Sequence, residues 1–256
     1  MLRRILVRGL VAMFIAAPAA NAQPAPAGTT PPAPSAVDQA SIQALKDMGT
    51  HLQTLKRFRV SSELTGERVL ADGQKLQHTA TVEMDVERPN KLRARMRSAR
   101  SQRELVYDGK TVTLFQPAQK YYSTIEFAGT LGELIDRLQE RYRVEVPLSD
   151  LFLWGTPAAP LDAIASAMNT GQDFVGDDLC DRYAFRQANA DWQIWITTGT
   201  KPLPRKVVIT NRIDEARPQS VSLIDWDLKP GFKDSAFKFT PPKGASKVDI
   251  VPVKTK

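Results

Sequence analysis

Between Leu76 and Met96 the chain alternates so strictly that paired β-strand is the structure it encodes. Leu76, His78, Ala80, Val82, Met84 and Val86 interleave with Gln77, Thr79, Thr81, Glu83, Asp85 and Glu87, the period of two that lines one face of a pleated strand. Leu92, Ala94 and Met96 then interleave with Arg93, Arg95 and Arg97. An antiparallel pairing that opposes Glu87 to Arg93, Asp85 to Arg95 and Glu83 to Arg97 sets unlike charges across the ladder and gathers the apolar residues on the other face. A slip of one residue would turn three arginines into the core, so the register is expected to be well specified. The connection is then centred on Asn90 and is no tight two-residue turn. The arginine row reads as a solvated ladder rather than an anion-binding stripe, because its acidic partners are already present. Exposed pairs of this kind are worth about 0.2–1 kcal/mol each.

Turn chemistry extends the pattern on both sides. Asp72-Gly73 and Tyr107-Asp108-Gly109-Lys110 mark reversals, with glycine supplying positive φ, and Pro117-Ala118 makes another before a strand at 120–126. Upstream, Leu45, Met48, Leu52 and Leu55 recur at three and four, the stripe of an amphipathic helix within 37–55. The period changes again after residue 126. Leu131, Leu134, Ile135, Leu138 and Tyr142 fit one helix, Pro147 with LSDLFLW begins a second, and residues 160–168 (PLDAIASAM) make a third. Strands return as FVGDDL, DRYAFRQ, DWQIWIT, RKVVIT and SVSLIDWDL, with a closing FKFTPP whose Pro241-Pro242 stops pairing. One helix, six strands, a helical block and about five more strands make an α+β protein with antiparallel pairing.

The ends bound where such a domain works. Arg3, Arg4 and Arg8 precede an apolar run at 10–17 (LVAMFIAA), and Ala20-Asn21-Ala22 offers an A-x-A cleavage site. That is a secretory leader at 1–22, too short in its apolar part to span a bilayer of roughly 30 Å. Cleavage after Ala22 exposes Gln23 rather than a cysteine, so no lipoprotein anchor is expected, and the mature chain belongs in the periplasm. A Pro/Ala-rich stretch follows, read as a flexible linker over 23–36, and a single domain over 37–256 with its helical insertion at about 129–170. The formal net charge of +7 falls to +4 once the three leader arginines are removed. The remaining Lys and Arg are scattered, which argues against a nucleic-acid surface and leaves room for transient contact with a membrane surface. Cys180 is the only cysteine, so no intramolecular disulfide staples the fold, and a small buried apolar role is expected of it.

The well-marked catalytic constellations are missing. There is no His-Glu-x-x-His, Cys-x-x-Cys, Gly-x-Ser-x-Gly or glycine-rich phosphate loop, and His51, His78 and Cys180 do not make a standard zinc site. No catalytic residue, metal or cofactor is therefore assigned. Asp225 and Asp227 share a strand face, but alternation explains them as the polar side opposite Ile224, Trp226 and Leu228. Alternation places His78 on the inward face, where it reads as a hydrogen-bonded rim histidine or as a ligand contact in a cavity. Trp192 and Trp195 fall on opposite faces of one strand, and Trp154 ends the second helix of the block.

The run CDRYAFRQ at 180–187, DWQIWI at 191–196 and KPLPRKVVIT at 201–210 resembles a family of predicted periplasmic proteins catalogued as a domain of unknown function. Arg88-Pro89, Arg93, Tyr107-Asp108-Gly109-Lys110, Pro218-Gln219, Trp226, Phe239, Pro241-Pro242 and Gly244-Ala245 continue the likeness, which covers roughly residues 40–250. That family commonly carries a histidine where this chain has Arg182, so no essential metal ligand or base is expected there. The order of elements also resembles the LolA/LolB-like carriers and receptors of outer-membrane lipoproteins. That likeness implies an incompletely closed antiparallel β-barrel of about eleven strands, an N-terminal helix and an inserted helical lid.

The expectation is a periplasmic, non-enzymatic binding or carrier protein for a lipid or lipidated protein, with acyl chains held between the sheet and the lid. Leu134, Ile135 and Leu138, then Leu151, Phe152 and Trp154, then Ile164, are expected to line the cavity, with His78 from the sheet. Plain packing of lid on sheet would use the same residues. An envelope assembly factor that takes a protein partner along a sheet edge is the rival reading, and a hydrolase with an unmarked site a third.

Overall fold

The structure, a computed structural model, describes residues 36–253; the leader, its cleavage point and the linker as far as residue 35 lie outside the described residues. The chain runs through α1 (Gln39–Thr54), β1 (Arg57–Val69), β2 (Lys75–Glu87), β3 (Lys91–Ser98), β4 (Gln102–Tyr107), β5 (Thr111–Gln116) and β6 (Tyr121–Glu126). Two helices follow, α2 (Leu131–Tyr142) and α3 (Asp150–Leu153), and then β7 (Ser166–Val175), β8 (Asp178–Arg186), β9 (Ala190–Thr197), β10 (Pro204–Asn211), β11 (Gln219–Asp227) and the two-residue β12 (Ser246–Lys247). The strands form one sheet in the order β12-β6-β5-β4-β3-β2-β1-β11-β10-β9-β8-β7. It is an open α+β sheet, for β7 and β12 stand at opposite edges and do not meet. Eleven strands pair antiparallel, and β12 adds a short parallel contact to β6.

One face carries the core. Phe58, Val60, Met84, Val86, Leu92, Tyr107, Ile194 and Ile224 are buried there with the apolar stripes of the helices. Leu45, Met48 and Leu52 of α1 are fully buried, each contributing about 1.5–3 kcal/mol of transfer free energy. Asp38 caps this helix by accepting from the amides of Ala40 and Ser41. Where α1 crosses the turn after α3, Gly49 and Gly155 meet backbone to backbone. A Cβ at Gly49 would come 2.5 Å from the Gly155 nitrogen, so the crossing tolerates no side chain. Tyr107 anchors the start of the helical insertion: its hydroxyl donates to the Gly129 carbonyl at 2.6 Å and accepts from the Gly129 amide at 3.0 Å. Burial pushes its ionisation up.

Five expectations need correcting. The β2–β3 register is displaced by two residues: Glu87 faces Lys91, Asp85 faces Arg93 and Glu83 faces Arg95. A shift of two leaves every side chain on its expected face, so face polarity could not discriminate between the registers. The shorter connection at 88–90 is the one adopted. Nor is the charged face solvated throughout. Asp85 is 1 % exposed, held by Arg59 Nε at 2.6 Å, and the segment after β11 crosses this face. Arg93 Nη1 donates to the Ala236 carbonyl at 2.9 Å, the Arg57 guanidinium lies 4.3 Å from the Phe232 ring centroid, and Phe237 is 1 % exposed.

The third expected helix is a single 3-10 turn, Leu161–Ala163, because Ser166, Ala167 and Met168 pair with β8 instead. Long-range hydrogen bonds override local helix propensity there. FVGDDL is correspondingly the tip of the β7–β8 hairpin, with Gly176 at φ +59°. FKFTPP pairs with no strand; Phe239 packs on Phe115 and Tyr122 with ring centroids 5.4 and 5.3 Å apart.

Candidate functional site: cavities between sheet and helices

The helices cover the apolar face incompletely, and the gaps are the candidate sites. The first is a cavity of about 430 Å³ floored by Val82, Ala94, Met96, Leu105 and Leu114. Its walls come from two segments without regular structure. The first, at 144–147, is directed by the end of α2, where Arg143 adopts a left-handed conformation at φ +54° and the Val144 amide bonds back to the Leu138 carbonyl at 3.0 Å. The second, at 248–250, is held along β6 by the Val248 amide on the Tyr122 carbonyl at 2.9 Å and by Ser123 Oγ donating to the Val248 carbonyl at 2.8 Å. The Val253 amide then reaches the Arg141 carbonyl at 2.9 Å, so the chain's own C-terminal segment closes one side. Charged Arg103, Glu145 and Asp249 are exposed around the cavity.

A smaller cleft of about 210 Å³ lies under α3, walled by Leu151, Trp154, Trp192, Ile194 and Ile224. Trp192 stacks on Phe185 at 4.3 Å and meets Trp154 at 5.8 Å. Asp150 opens into this cleft, so solvent reaches its carboxylate although protein surrounds it. That surrounding protein pushes its pKa up, and no hydrogen bond or ion pair to its side chain is among those of the described residues.

The residues expected at the site divide. Leu151 and Trp154 line the cleft under α3, and Phe152 lines a further cleft beside α1. Leu134, Ile135, Leu138 and Ile164 line none of these spaces; they are 0, 3, 1 and 8 % exposed and belong to the packed core. The α2 stripe seats its helix directly on the sheet. His78 is also away from the cavities: it is exposed near the end of the β1–β2 hairpin, where its ring sits over Gly66. The hairpin runs on past the neighbouring strands, so an inward-pointing side chain there meets no helix. Residues 144–147 and 248–250 had no apolar period to single them out, though the alternation of β2 and β3 had marked Val82, Ala94 and Met96 of the floor.

The described residues hold no group of three or more His, Cys, Asp or Glu placed to bind a metal. Cys180 is 0 % exposed and its thiol is pushed up to about 11, mainly by burial. Asp225 is held by Arg205 at 2.8 Å, while Asp227 accepts from the Lys229 amide. Arg182 is tied to Thr170 at 2.7 Å and lies 5.9 Å from the Trp195 ring centroid.

The sheet is open, and the helices leave apolar cavities on one of its faces. The chain belongs to the family described as "Predicted periplasmic protein (DUF2092)", which matches residues 41–251. Among curated proteins nothing matches. Among solved structures it is similar to an uncharacterized conserved protein from Thermus thermophilus (11 % identity, 82 % of this chain and 99 % of that one, TM-score 0.48). It is also similar to LprF from Mycobacterium bovis (12 % identity, 82 % and 99 %, TM-score 0.44). A third is the LolA superfamily protein NE2245 from Nitrosomonas europaea (10 % identity, 78 % and 97 %, TM-score 0.39). All three likenesses are distant. No described helix is long and apolar enough to cross a membrane.

Proposed function

We propose that the protein is exported to the periplasm, processed after Ala22, and there binds a lipid or lipidated protein without chemical turnover, holding an acyl chain in the cavity between β2–β5, residues 144–147 and residues 248–250. The observation that carries this reading is the cavity itself. Its volume of about 430 Å³ lies within the roughly 300–1,000 Å³ of small-molecule sites, and its floor is aliphatic. Eight methylenes leaving water for such a floor gain about 6 kcal/mol at about 0.8 kcal/mol each, before the cost of immobilising the chain. Two of the three sides are irregular backbone, which can part at lower cost than helix or sheet, and a carrier must release what it holds.

The test is uptake of a fluorescent fatty acid. Leu114 is half-buried on the cavity floor, so Leu114→Trp fills the cavity without breaking a packed layer. Uptake is expected to disappear while circular dichroism stays native. A folded wild-type protein that takes up no probe, or an L114W variant that takes it up undiminished, refutes the reading. The rival, a protein partner docked on a sheet edge, has its own observation in β7, where Phe174 is 66 % exposed. Native mass spectrometry of protein from the periplasm separates the two by the mass that co-purifies.

A further inference from the structure

Arg88 stands apart from the other arginines next to the β2–β3 connection. Arg59 and Arg93 each hold a carboxylate at 2.6 Å. Arg88 holds none among the described residues. Its Nε is buried without a hydrogen-bond partner, the one side-chain hydrogen bond it makes among the described residues is Nη2 to the Leu151 carbonyl at 3.4 Å, and its guanidinium lies 5.8 Å from the Phe152 ring centroid. Burial also works against its charged form. An uncompensated guanidinium taken partly out of water is costly, and an anion beside it would offset that cost.

The space beside it is ready for one. Arg88 borders a cleft of about 540 Å³ between the end of α1, the first turn of α2 and residues 156–158, with Leu131, Phe152, Leu153 and Pro157 as apolar walls. Lys56 is exposed at the same cleft. Two acidic residues also border it. Glu133 is committed to the α2 cap, accepting from the Thr130 amide at 2.7 Å and its hydroxyl at 2.9 Å, whereas Asp136 is exposed. Those two carboxylates disfavour a dianion such as phosphate, and the walls favour an apolar body. The geometry points to this cleft as a binding site for a monocarboxylate with an apolar tail, its carboxylate paired to the Arg88 guanidinium. The planar guanidinium offers paired Nη donors to a carboxylate in a way a lysine would not, its Nε being buried. This cleft is distinct from the 430 Å³ cavity, so either reading can fail alone.

The experiment compares octanoate with its methyl ester on nitrogen-15-labelled protein. Octanoate is expected to shift the Arg88 Nε–H resonance and to bind about ten- to a hundredfold more tightly than the ester, the range for a charge-assisted pair. Arg88→Met should bring the two ligands to parity while leaving thermal stability equal or higher, since the unpaired charge is gone. Arg88→Lys, which keeps the charge and loses the fork, should retain a reduced preference, and it carries the mutational arm if the methionine variant does not fold. Equal binding of acid and ester by the wild type, or a preference undiminished in both variants, overturns the proposal. Inorganic phosphate that displaces octanoate at lower concentration would overturn the choice of a monocarboxylate. If Leu114→Trp abolishes fatty-acid uptake but the Arg88 resonance still answers to octanoate, the cleft and the cavity are separate sites.

Discussion

Replacing Leu138 by glutamate tests whether α2 is core or cavity wall. Leu138 is 1 % exposed on the same buried stripe as Leu131, Leu134 and Ile135, and it borders none of the described cavities. Removing the leucine forfeits about 1.5–3 kcal/mol of burial. The new carboxyl would be held neutral, and displacing its pKa by about three units to do so costs about 4 kcal/mol. Together these approach 6 kcal/mol, comparable to the whole stability of a domain at roughly 5–15 kcal/mol. Leu138→Ala should cost about 3 kcal/mol and lower Tm by about 6–12 °C for a body of this size. The assay is urea unfolding followed by near- and far-ultraviolet circular dichroism, with probe uptake measured on the same samples. L138E is expected to be unfolded or molten, and L138A folded, destabilised and still able to bind. An L138E variant with a wild-type midpoint but no uptake would refute the reasoning and place α2 at the wall of the binding site.

Four further outcomes follow from the ionisable groups. Asp85→Asn should cost about 2–3 kcal/mol, less than the roughly 3–5 kcal/mol of a fully buried pair because Arg59 keeps a third of its side-chain surface; Glu83→Gln, with both partners about 40 % exposed, should cost no more than about 1 kcal/mol in the same denaturation. Asp150→Asn should raise the midpoint at pH 7: a carboxyl whose folded pKa is raised loses stability as pH climbs from its unfolded pKa of about 3.9 through the folded one, so the gain should vanish below about pH 4. Cys180, fully buried and with its thiol held protonated to about 11, should resist thiol reagents at neutral pH until the protein is unfolded.

The candidate site was legible only in part, and the residues show why. Val82, Ala94 and Met96 were marked as inward-facing because a strand repeats every two residues whatever its neighbours do. Leu134, Ile135 and Leu138 were equally clear as an apolar stripe, yet a stripe records only that a helix is buried on one side. It cannot distinguish contact with packed side chains from contact with a gap. Arg88 carried no local mark of its isolation, since its lack of a counter-charge depends on what α2, α3 and residues 156–158 bring beside it.

The sequence by itself determined most of the element order and the two faces of the sheet, because periodicity and turn residues act over a few residues. It did not determine the β2–β3 register, since displacing the strands by two residues conserves every face. Nor did it determine that 166–168 would be strand, or that residues 232–239 would cross the charged face. Those outcomes depend on contacts between residues tens to more than a hundred positions apart. The cavities belong with them: a void is a mismatch between elements, and only their assembly in three dimensions decides where packing stops.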